Sequence, residues 1–249
     1  MKDLTMSALT INDRLLHYEV IGKGKPVLFL HNFIGSWRYW MGTMQSLSSK
    51  FRCYAFDLWG MGDSDKSSDL YSLNQLTSTI EIFLDEMGIP RTAIIGHGFG
   101  GILANAYAIK NPQRVERMVL IDPLNQAIQQ DLDRLSFAKA LDLIKKEPGV
   151  DVPILTDSLK ADPAAFQKYK SFVNIEASSV PSLLIEPNSV KDRSLPSQRL
   201  TLDLDSPSLF PVIAHTLEVE RLITEYLILP ADQIARPIQI KKYWKRLVR

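Results

Sequence analysis

Short apolar runs without polar alternation, each followed by a longer stretch of helical periodicity, constrain this chain most. Val27–His31, Cys53–Asp57, Ala93–Gly96, Met118–Ile121 and Leu183–Glu186 are runs of this kind. A strand apolar at nearly every position is covered on both faces, the situation of a parallel sheet clad by helices. A further strand is expected at Leu200–Leu204, and a hairpin at about Leu4–Thr10 and Leu15–Val20, giving an α/β fold with a mostly parallel sheet of about eight strands. Helices are expected over Ser36–Leu47, Leu73–Met87, Phe99–Lys110 and Leu217–Leu227. Ser72 and Gln75 form a capping box for the second, which Gly88 and Pro90 would stop. The rhythm breaks once, between residues 124 and 179, where helical segments stand between two strands and read as an inserted cap. The expected organisation is a core of residues 1–123 and 180–230, a cap of residues 124–179 and a tail of residues 231–249.

A chain of 249 residues, 45% of them hydrophobic, can bury its own core as one domain. Its single cysteine, Cys53, cannot form an intramolecular bridge, and the opening MKDLTMSALT has no apolar signal-like core. No apolar stretch approaches the ~20 residues of a spanning helix, so a cytoplasmic protein is expected. A net charge of +1 argues against a nucleic-acid binder, but it conceals an asymmetry. The tail holds Arg236, Lys241, Lys242, Lys245, Arg246 and Arg249 against Asp232, a net +5 that leaves −4 for residues 1–230. Ile240, Tyr243, Trp244, Leu247 and Val248 recur there at helical spacing. A basic amphipathic helix of this kind suits an anionic membrane surface, an acidic groove of a protein partner, or the acidic body of the chain itself.

Four segments carry chemical information: HNFIG at 31–35, DLWGMGDSDK at 57–66, GHGFGG at 96–101 and VLIDP at 119–123. Their order and spacing resemble the α/β-hydrolase superfamily, in particular its small esterase and aminopeptidase-like branch. The resemblance implies a strand-to-helix elbow G-x-S-x-G whose serine attacks the substrate. Here the elbow reads Gly96-His97-Gly98-Phe99-Gly100, so Gly98 stands where the nucleophile is expected. The same resemblance places Leu209 where the catalytic histidine should be, with His215 six residues later at a helix start. Asp192, followed by Pro196, fits the position of the acid; it is either an orphan of the triad or an ordinary loop residue.

Backbone donors survive such losses, and the resemblance assigns the oxyanion-binding amides to Phe33 and Phe99. His31 and Asn32 match the family's His-Gly pair, with Asn32 departing from glycine, and His97 lies inside the elbow. These five residues are the candidate binding set, each histidine being either a brace or an acid–base group. Glycine at the elbow also removes the cost, about 1–3 kcal/mol, of holding another residue at positive φ. No cofactor or metal is expected. Three readings follow: a non-hydrolytic protein binding a small apolar ligand or a protein partner; an enzyme of non-covalent lyase, isomerase or oxygenase type, or a weak esterase-like hydrolase; and a scaffold that docks through its basic tail.

Overall fold

The computed structural model describes residues 7–123, 133–172, 178–187, 198–202 and 216–230. The strands β1 (Ser7–Ile11), β2 (Arg14–Gly22), β3 (Lys25–Leu30), β4 (Phe51–Phe56), β5 (Thr92–His97), β6 (Val115–Ile121), β7 (Ser182–Pro187) and β8 (Gln198–Leu202) form one sheet in the order β1-β2-β4-β3-β5-β6-β7-β8. Pairing from β4 through β3 to β8 is parallel, and β1 and β2 run antiparallel at one edge. The hairpin turns on Asn12 and Asp13, both at positive φ, which matches the right-handed twist of the strands it joins.

The chain leaves β3 toward β4 on one side and then crosses back to β5 on the other. Right-handed crossovers running in opposite directions put their helices on opposite faces. Accordingly α1 (Met41–Leu47) packs beside α7 (Thr216–Ile228), while α2 (Leu73–Glu86) packs beside α3 (Phe99–Lys110). With both faces clad, Val27, Phe29, Leu30, Ile94 and Ile95 are fully buried, as their unbroken apolarity requires. The strand order reverses at β3, between the carboxyl ends of β3 and β5, which is the usual place for a site in such sheets.

Local differences from expectation have local causes. The helix expected from Ser36 splits into a 3₁₀ turn at Trp37–Trp40, capped by Ser36 and with the Trp37 amide donating to the Asp57 carboxylate at 2.8 Å, followed by α1. The capping box is present in its first half, with Ser72 Oγ accepting from the Gln75 amide, and α2 gives way at Gly88, where φ is +65°. Strand β8 starts two residues earlier than expected, and the end of the expected run, 203–204, lies outside the described residues.

Between β6 and β7 the described residues include the helices α4 (Phe137–Lys146), α5 (Val152–Leu159) and α6 (Pro163–Tyr169). Ser136, Asp151 and Asp162 cap their first turns by accepting backbone N–H bonds, and proline occupies the first turn of α5 and of α6. Residues 124–132 and 173–177 of the expected cap lie outside the described residues.

Candidate functional site

The candidate site is built by the loop after β3 and the elbow after β5. Gly98 starts α3 with φ +53° and ψ −118°, a backbone that L side chains adopt only under strain. Its amide donates to Ile121 O at 2.9 Å and its carbonyl accepts from Gly101 at 3.0 Å, so the turn is fixed on both sides. A Cβ atom added at Gly98 would lie 2.3 Å from Cγ and from Oδ1 of Asn32. The space a nucleophile would enter is therefore filled by the Asn32 carboxamide, 66 residues earlier in the chain.

The two amides singled out from the sequence do converge on one acceptor. Phe33 N–H donates to Asn32 Oδ1 at 2.8 Å, and Phe99 N–H donates to the same oxygen at 2.9 Å. Asn32 is held in turn by its own backbone N–H, which donates to Tyr39 Oη at 2.7 Å. Burial raises the Tyr39 phenol well above its ordinary range, so it remains a neutral hydroxyl.

His31 and His97 flank the Tyr39 ring. His31 is wholly buried, and both ring nitrogens are committed to the backbone. Nδ1 donates to Asn32 O at 2.7 Å, and Nε2 accepts from the Leu58 amide at 2.8 Å. That pairing requires the neutral tautomer, and burial lowers the imidazole pKa in the same sense despite the charge of Asp57. His97 Nδ1 lies 3.2 Å from Tyr39 Oη. Both histidines thus brace the loops.

The inserted helices close over these groups with aromatic rings. Phe166 meets Phe33 edge-on at 5.3 Å, and Tyr169 stacks on Phe99 at 4.5 Å with the planes 9° apart. Phe172 lies against the same Phe99 ring at 5.9 Å. Tyr169 donates its hydroxyl to Trp59 O at 2.7 Å, which ties α6 to the loop after β4. Phe33, Phe99, Phe166 and Tyr169 are all buried.

A second cluster, which sequence reading did not single out, lies at the end of β4. Asp57 is fully buried. Its Oδ1 accepts from Trp37 N–H, and its Oδ2 accepts from His17 Nδ1 at 2.9 Å and from Asp63 N–H at 3.0 Å. Burial alone would lower the His17 pKa, but the hydrogen bond and charge of Asp57, with Asp63 and Glu19 nearby, raise it above the ordinary value. Lys160 Nζ, at the end of α5, then joins Asp63 to the buried Asp157, each at 2.8 Å, and Arg38 Nε reaches Asp157 at 2.7 Å. His17, Asp57 and Asp63 have the spacing of a metal site, but a full set of protein donors on Asp57 and the Lys160 ammonium on Asp63 mark it as an ion-paired brace. The DLWGMGDSDK segment showed Asp57 and Asp63 as motif letters; only the tertiary structure brings His17 from β2 to them.

Asp122 at the end of β6 was likewise not singled out. It is a non-glycine residue at φ +41°, and Pro123 beside it faces Gly101 of the elbow helix. A cavity of about 230 Å³ lies away from the elbow, between the β1–β2 turn and α2, lined by Ile11, Arg14, Trp59, Leu70, Gln75 and Ile82 among others. Asp192, Leu209, His215 and the tail cations Lys241, Lys242, Lys245, Arg246 and Arg249 lie outside the described residues. Among the described residues, no helix is long and apolar enough to cross a membrane.

The family model for the α/β hydrolase fold matches residues 25–160, more than half of the chain. The chain belongs to the α/β-hydrolase fold family. A soluble epoxide hydrolase of Corynebacterium sp. (strain C12) is 30% identical over 120 residues, covering 48% of this chain and 42% of that protein. A (lyso)-N-acylphosphatidylethanolamine lipase of Mus musculus is 35% identical over 102 residues, covering 39% of this chain and 30% of that protein. The matches thus span less than half the length of these relatives. Among solved structures, a hydrolase from Pseudomonas aeruginosa PA01 superposes with TM-score 0.74 at 19% identity, covering 91% of this chain and 100% of its own. A Vigna radiata epoxide hydrolase mutant superposes with TM-score 0.76 at 16% identity, covering 91% and 99%. At these identities the structural likeness speaks for the fold.

Proposed function

We propose that this chain is a non-hydrolytic member of the α/β-hydrolase family that acts by binding, its occupant being a small apolar ligand received among the aromatic rings over the elbow or a protein partner. One observation carries the reading: at the elbow, Gly98 offers no attacking atom and the Asn32 carboxamide fills the space in front of it. Covalent hydrolysis of an ester or an epoxide, the chemistry named for the relatives, starts with an elbow nucleophile. For scale, loss of the serine in subtilisin costs about 10⁶-fold in kcat. His31 could serve as acid or base only by giving up the backbone hydrogen bond at the nitrogen that exchanges the proton, which weighs against a non-covalent enzyme. Purified protein is expected to hydrolyse p-nitrophenyl acetate and butyrate at the buffer rate. Turnover well above buffer that is lost on replacing His215 or Asp192 would overturn the reading.

A second reading rests on charge. The +5 net charge and apolar stripe of residues 231–249 suit an anionic membrane surface or an acidic protein partner, reached through Lys241, Lys242, Lys245, Arg246 and Arg249. Deleting residues 238–249 is expected to abolish co-sedimentation with vesicles containing phosphatidylserine. Unchanged sedimentation would remove the membrane use of the tail.

A further inference from the structure

Two backbone donors aimed at one point form a site for one oxygen atom. In this chain that oxygen comes from within. Asn32 Oδ1 accepts from Phe33 and Phe99 at 2.8 and 2.9 Å, distances of fully formed hydrogen bonds. The same carboxamide lies 2.3 to 2.5 Å from where any Cβ at position 98 would sit, closer than atoms can approach. One short side chain therefore does two things at once: it satisfies the amide pair, and it fills the volume next to the elbow.

We propose that Asn32 and Gly98 form a two-residue lock, in which the Asn32 carboxamide is a built-in ligand of the Phe33 and Phe99 amides. The site beneath it accepts a carboxamide, a carboxylate or the carbonyl head of an acyl compound. Such a group reaches the amide pair only when the Asn32 side chain leaves. Residue 98 must stay glycine while Asn32 is in place, because a side chain there meets the carboxamide as well as the positive φ. The inference deepens the non-hydrolytic reading and rests on it. It adds that the amide pair is held closed by a side chain of the protein and remains chemically competent underneath.

Acetamide is the side chain that Asn32→Gly removes, so the test is chemical rescue. In the Asn32→Gly variant, acetamide at high millimolar concentration is expected to raise Tm by about 3 °C and to move the Phe33 and Phe99 amide resonances back toward their wild-type positions. Acetate, which offers the same geometry with a charge, is expected to move the same two resonances. Wild-type protein should show neither response. A double-mutant cycle gives an independent readout. The Tm loss of Asn32→Gly/Gly98→Ala should be smaller than the summed losses of the single variants by about 4 °C or more, because the collision exists only when both native Asn32 and the new side chain are present. Where Gly98→Ala alone does not fold, recovery of a folded double variant is the same result.

An Asn32→Gly protein indifferent to acetamide and acetate, or an additive cycle, overturns the lock. Equal acetamide responses in wild type and variant also overturn it, since Asn32 would then not close the amides, while the binding reading would stand. Ester turnover by the wild type would instead overturn the non-hydrolytic reading, so the two failures are distinguishable.

Discussion

Two regions at the same end of the sheet have been built in opposite ways. The elbow after β5 and the loop after β3 are filled by neutral groups: the Asn32 carboxamide, a protonated Tyr39, a neutral His31 and a seal of aromatic rings. The loop after β4 holds charge, with Asp57 and His17 buried together and Asp63, Lys160, Asp157 and Arg38 running outward from them. A working hydrolase concentrates shifted ionisable groups where bonds are made. Here the ionisable cluster sits where loops and inserted helices are joined. Shifted pKa values occur in both regions, at His17 in one and at His31 and Tyr39 in the other, so donor and acceptor geometry is what tells the two apart.

Removing the anion of the brace tests the contrast most severely. Asp57→Ala leaves His17 and the Trp37 and Asp63 amides without their acceptor in the interior, and is expected to cost about 3–5 kcal/mol in denaturant unfolding. A cost below about 1 kcal/mol would mean that the charged loop contributes no more than a surface pair. On the neutral side, Phe166→Ala opens a cavity between Phe33 and Phe137, with an expected loss of about 3 kcal/mol and faster amide exchange at Phe33. Unchanged exchange there would separate the inserted helices from the site.

The two histidines give the loops opposite pH signatures. His17 has a folded pKa raised above 6.5, so its contribution is fully present below about pH 6.5 and is lost as pH rises through the raised value. His31 has a folded pKa below 6.5, so stability falls as pH drops below about 6.5, where the unfolded chain gains a proton that the folded chain excludes. Each slope is at most about 1.4 kcal/mol per pH unit. In unfolding titrations from pH 5 to pH 9, His17→Gln should abolish the loss above neutrality and leave the acid-side loss intact. The reverse outcome would exchange the roles of the two loops. The smallest effect belongs to the outer end of the brace. Arg38 is partly exposed, and Asp157 keeps Lys160 when it is removed, so Arg38→Ala should cost about 1 kcal/mol or less and show salt dependence.

Much of the sheet was legible because strands buried on both faces must be apolar throughout, as Val27 to Leu30 and Ile94 to Ile95 are. The elbow was legible because a G-x-G-x-G turn between strand and helix is a local pattern, and the glycine at its centre, Gly98, is visible as a single letter. His17 and Asp57 were not, because 40 residues separate them and β2 and β4 become neighbours only through sheet order. The aromatic seal was hidden for the same reason: Phe166 and Tyr169 read as ordinary apolar positions of a helix until α6 is placed against Phe33 and Phe99.

The sequence by itself determined the α/β class, the strand-to-helix elbow and the absence of an attacking side chain at Gly98, since these depend on periodicity and on the chemistry of one residue. Asn32 looked like a mere departure from a glycine. Only the tertiary structure decided that its carboxamide would lie on both donor amides, because the reversal of strand order at β3 brings two loops 66 residues apart in the chain within hydrogen-bond reach.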